Sequence, residues 1–131
     1  MQTFKTPGII LLIILLFTIS CNINRKFVNR EDDKQKAEII TNKFYDLLKE
    51  QNYEETLLYI SEMFCEYTSR EQLFKIYTAS KKKLGQLLEV NLDQWESVVI
   101  KGTNSSSDYL FLYKNQYEKY EATESIRLMK E

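Results

Sequence analysis

At Gly85 the spacing of apolar side chains changes abruptly: before it they recur every three or four residues, after it every two. The first period buries one face of a helix and the second one face of a strand, so helices precede strands in this chain. Segregated in this way, they give an α+β domain, with the helices packed on one face of an antiparallel sheet.

In the helical half, Ala37, Ile40, Phe44, Leu47 and Leu48 mark an amphipathic helix from Asp33 to about Gln51, with acidic residues at its start. Asn52 with Glu55 three residues on has the form of an N-cap, and Leu57, Ile60, Ser61 and Phe64 place a second helix after it. Ser69 and Gln72 form a capping box, and Leu73, Ile76, Tyr77, Ser80 and Leu84 carry a third helix to Gly85. The run Lys81-Lys82-Lys83 falls in that helix's last turn, where cations complement the dipole. Consecutive helix positions point in different directions, so the three lysines do not make a phosphate site.

In the strand half, Leu88, Val90 and Leu92 alternate with Glu89 and Asn91, and Val98 and Ile100 resume that parity. Trp95 falls on the opposite parity, which a bulge or bend near Asp93 would reconcile, as would a strand whose second face is partly covered. A polar turn over Lys101–Asp108 leads to Tyr109–Tyr113, apolar on both parities, in a strand that continues to Tyr117. After a turn at Glu118-Lys119-Tyr120, a last strand alternates Ala122, Glu124, Ile126 and Leu128 with Thr123, Ser125 and Arg127. About three strands are thus expected.

Ahead of all this stand Lys5, a Pro7-Gly8 break, an apolar run from Ile9 to Phe17, and Ser20 before Cys21. This is the layout of an export signal, and the run is shorter than the roughly 20 residues of a spanning helix. Thr18-Ile19-Ser20-Cys21 resembles a bacterial lipobox, with Thr18 where that pattern has leucine. The resemblance implies a signal peptide over residues 1–20 and lipid attachment at Cys21; residues 21–32, which mix charges with amides without sustained periodicity, read as a tether to a domain over residues 33–131. The expected location is the bacterial cell membrane or outer membrane, lipid-anchored and facing the periplasm or the cell exterior.

With 18 Lys+Arg against 19 Asp+Glu, nothing favours nucleic acid as a partner. Two cysteines cannot build a disulfide framework, and a lipidated Cys21 leaves Cys65 without a partner; beside Phe64 it reads as a small buried hydrophobe. The chain has no histidine, which removes the commonest general base and metal ligand. No cofactor, metal site or catalytic residue is expected.

Taken in order, Phe44-Tyr45, Asn52-Tyr53, Ser69-x-x-Gln72-Leu73, Leu84-Gly85, Tyr113-x-x-x-Tyr117-Glu-Lys and Ala122-Thr-Glu look like the nuclear transport factor 2-like (cystatin-like roll) domains of small bacterial lipoproteins. The resemblance covers about residues 35–131. It implies three helices on a curved sheet. Such domains usually end in one more strand with a tryptophan-lysine pair, which this sequence does not reach by Glu131, so an open sheet edge is expected. That edge would suit a homodimer or another envelope protein.

Two kinds of function fit. One is a non-catalytic binding or assembly module, with Tyr45, Tyr77, Tyr113 and Tyr117 lining a cone for a small apolar ligand. The other, implied by the resemblance, is a ketosteroid isomerase-like or dehydratase-like enzyme, for which Asp93 with Tyr45 or Tyr113 is the nominated base and donor. The non-catalytic module is the expectation.

Overall fold

The computed structural model describes residues 24–130, so the apolar run and Cys21 lie outside the described residues. Strand β1 (Arg25–Val28) comes first, followed by helix α1 (Glu31–Lys49), the short helix α2 (Tyr53–Thr56), a 3-10 turn (Leu57–Tyr59), α3 (Glu62–Tyr67) and α4 (Arg70–Leu84). Strands β2 (Leu87–Lys101), β3 (Ser106–Tyr117) and β4 (Glu121–Lys130) close the chain. The fold is α+β, and its sheet is an antiparallel meander in the order β1-β2-β3-β4.

The sheet therefore has four strands where about three were expected. The additional one comes from the stretch read as a tether: Arg25 pairs with Lys101 and Val28 with Val98. Asn29, in the left-handed region at φ 49, continues the pairing by donating its amide to the Ser97 carbonyl and accepting the Ser97 amide at Oδ1. Sequence periodicity could not reveal so short an edge strand, because its order comes from the partner strand.

The expected second helix is broken. Asn52 makes no side-chain cap, Ile60 is extended, and Ser61 restarts the chain as the N-cap of α3, its hydroxyl accepting the Phe64 amide. By contrast, both halves of the Ser69–Gln72 capping box are made at the start of α4. Cys65, expected to be buried, is exposed, because the broken helix turns that face toward solvent.

Bulges between Leu87 and Glu89 and between Leu92 and Gln94 each flip the parity of β2. Leu87, Val90, Leu92, Trp95, Ser97 and Val99 consequently share the inner face, opposite Tyr117, Asn115, Tyr113, Phe111, Tyr109 and Ser107. The bulge near Asp93 is present, but its consequence differs from the expected one: Trp95 faces the helices, while Val98 and Ile100 face outward. On that inner face Phe111, Tyr113 and Tyr117 pack with Ala37 and Tyr45 of α1 to form the core.

The junction between α4 and the sheet is clamped by the β3–β4 turn. Glu118 donates its amide to the Gln86 carbonyl and accepts the Gln86 amide on its carboxylate, while the Lys119 amide reaches the Leu84 carbonyl. The Lys119 ammonium also donates to the Lys82 carbonyl, and the lysine run ends the helix as its position implies.

Candidate functional site

The apolar stripe of α4 does not close onto the sheet. Leu73, Ile76, Tyr77, Ser80 and Leu84 form one wall of an open groove of about 520 Å³, and Leu87, Tyr117, Ala122, Glu124 and Ile126 line it from the strands. Phe44, Tyr45 and Leu48 of α1 contribute too, with Ile60 and Phe64 at the broken helix. Leu73 is the one α4 residue classed as buried, while Ile76 remains 53% exposed. A stripe that would fill a core in a closed fold here stays available to another molecule.

One carboxylate stands in this apolar lining. β4 turns Ala122, Glu124 and Ile126 to the inner face, where Glu124 lies opposite Tyr113. Its Oε1 accepts the Tyr117 hydroxyl at 2.6 Å and its Oε2 the Tyr45 hydroxyl at 3.1 Å. Burial pushes the Tyr45 phenol far above its ordinary range, and the charge of Glu124 adds to the shift. The Tyr117 phenol rises for the same reasons, burial first and then its hydrogen bond to Glu124. Both phenols stay protonated and remain donors.

Other buried polar groups have no hydrogen-bond partner among the described residues. The Tyr77 hydroxyl is buried against Tyr53 and Phe74, and burial raises its pKa. The Asn115 carboxamide is fully buried between Tyr113 and Tyr117 along β3 and pairs through neither its nitrogen nor its oxygen.

Of the tyrosines expected to line a cone, Tyr45, Tyr77 and Tyr117 line the groove. Tyr113 lies behind it, packed edge-on against Tyr45 with ring centroids 5.0 Å apart and hydrogen-bonded to the Thr41 hydroxyl. Asp93 lies at the β2 bulge, with its carboxylate 3.1 Å from the Lys114 ammonium, and is absent from the groove. The nominated base and its tyrosines are thus not brought together. Glu124 was the missed residue, and its signal was legible: a carboxylate at an inward parity of an otherwise apolar strand face.

No group of three or more His, Cys, Asp or Glu side chains among the described residues could hold a metal ion. No helix among them is long and apolar enough to cross a membrane. Compared with protein-family models, curated proteins and solved structures, the chain gives no significant match.

Proposed function

We propose that this chain is a lipid-anchored bacterial envelope protein whose domain, of the nuclear transport factor 2-like kind, binds a small apolar ligand without transforming it. The observation that carries this reading is the unfilled groove: the α4 stripe faces Ala122 and Ile126 across about 520 Å³ of open space. An enzyme of the ketosteroid isomerase or dehydratase kind is less well supported. Asp93 is engaged by Lys114, the Tyr45 phenol donates to Glu124, and the Tyr113 hydroxyl is bonded to that of Thr41, so neither nominated tyrosine is paired with the nominated base.

Ser80 lines the groove and is only partly exposed, so Ser80→Trp should fill it from the helix side while leaving the core untouched. The wild-type chain is expected to bind the neutral dye phenylnaphthylamine with a rise in fluorescence, and the Trp variant to lose that rise. Equal dye binding by both proteins would sink the groove reading. The anchor is tested separately: Cys21→Ala should release the protein from the membrane fraction and remove its fatty-acid label.

A second reading, assembly, is favoured by the outer face of the sheet. Leu110 is 44% exposed, Val28 55% and Met129 58%, beside the Asp108–Arg127 ion pair. Sedimentation of the wild type and of Leu110→Lys tests it, with a dimer expected only for the wild type.

A further inference from the structure

We propose that the polar end of the groove selects an amine: a ligand with an ammonium group on a compact apolar body, the ammonium donating to Glu124. The inference rests on the groove being a ligand site and goes beyond it by naming the chemistry the site discriminates.

Charge complementarity carries the argument. Glu124 is the one acidic residue on the groove lining, and none of the ion pairs among the described residues includes it. Its two hydrogen bonds come from neutral phenols, one to each oxygen. A carboxylate offers about four acceptor positions, so each oxygen keeps one. A charge held against apolar walls without a counter-ion favours a cation that brings its own. The phenols also hold the carboxylate in place, so a ligand need not order it on binding.

An ammonium carries three donors, and the acceptor positions left on the two Glu124 oxygens can take two of them. A carboxylic acid would meet Glu124 with like charge, whereas an alcohol would donate one hydrogen bond without bringing a counter-charge. The cations on the lining are Lys49, at the end of α1, and Lys81, in the last turn of α4 and hydrogen-bonded to the Gln51 side chain. Neither pairs with Glu124.

A matched set of rigid, water-soluble probes tests this: adamantylamine, adamantanol and adamantane carboxylate, each displacing phenylnaphthylamine from the full chain in nanodiscs, with empty nanodiscs subtracted. The amine is expected to bind about ten- to a hundredfold more tightly than the alcohol, as an opposite charge added to the hydrogen bond implies, and the acid most weakly. Glu124→Gln keeps the shape of the side chain and should bring the amine to within about threefold of the alcohol, as the loss of the charge assistance implies. Equal amine and alcohol binding by the wild type overturns the inference while leaving the groove reading intact. A preference for the amine that survives Glu124→Gln overturns it as well. Failure of the dye itself to bind removes the groove reading, and the inference with it.

Discussion

Gly85 holds φ at +86, and a Cβ placed there would lie 2.7 Å from both the Cβ and the Oε2 of Glu118. The second contact involves the carboxylate that accepts the Gln86 amide, so the side chain cannot swing away without losing that bond. Gly85→Ala should therefore cost about 1–3 kcal/mol, the range for a strained backbone position, read as a lower urea midpoint with an unchanged m-value. Asn115 presents the opposite case. Its buried carboxamide has no partner among the described residues, so Asn115→Val removes desolvated polar atoms with little change in volume. Thermal unfolding should show a variant at least as stable as the wild type, by up to about 1–3 kcal/mol if the full penalty is relieved. Both residues could be located from sequence, Gly85 as a helix stop and Asn115 by its parity among tyrosines. The contact with Glu118 and the missing partner are properties of packing.

Among the elements, α1 shows how a helix start can be held without a side-chain cap. Arg30 precedes the helix in an extended conformation, and its guanidinium grips the Asp33 carboxylate at 2.7 and 2.8 Å. That grip holds the Asp33 carboxyl below its ordinary range. The unfolded chain therefore takes up the proton first as pH falls: the stabilisation is complete above about pH 4 and is lost as pH drops through the lower, folded-state value. Asp33→Asn should lower the urea midpoint at neutral pH, and the gap to wild type should narrow as pH falls toward the folded-state value and close below it, where the carboxyl is protonated in both states. In β2 the bulges explain why its alternation was legible only in part. Val90 and Leu92 keep one parity between them, but the inserted residues hand the inner face to Leu87 on one side and Trp95 on the other. The broken second helix has a comparable cause, for Ser61 has the chemistry of a cap and α3 starts from it.

At the scale of the whole molecule, the meander puts β3 between β2 and β4 and gives its inner face to α1. Phe111, at 0% exposure, is the pivot of that arrangement, opposite Trp95 on one strand and Ile126 on the other and edge-on to Tyr113. Phe111→Ala should cost about 3–5 kcal/mol in a urea or thermal melt, because three elements meet on the ring and cannot all collapse into its space. At the other end of the inner face, α4 stands beside β4 with the groove between them. The molecule thus has a packed half under α1 and an open half under α4.

Much of this order follows from the sequence itself. The period change at Gly85, the Ser69–Gln72 capping box, the lysines of the last helical turn and the bulge near Asp93 are local signals, because each depends on neighbours within about one turn of helix or a few residues of strand. Tertiary structure decided the rest. It recruited Arg25–Val28 as a strand, kept the α4 stripe from closing on the sheet, left Asp93 with Lys114, and brought Tyr45, Tyr117 and Glu124 together from a helix and two strands. Periodicity tells which face of an element is apolar. Whether that face meets a neighbour or an open groove depends on where the other elements stop, which no local pattern carries.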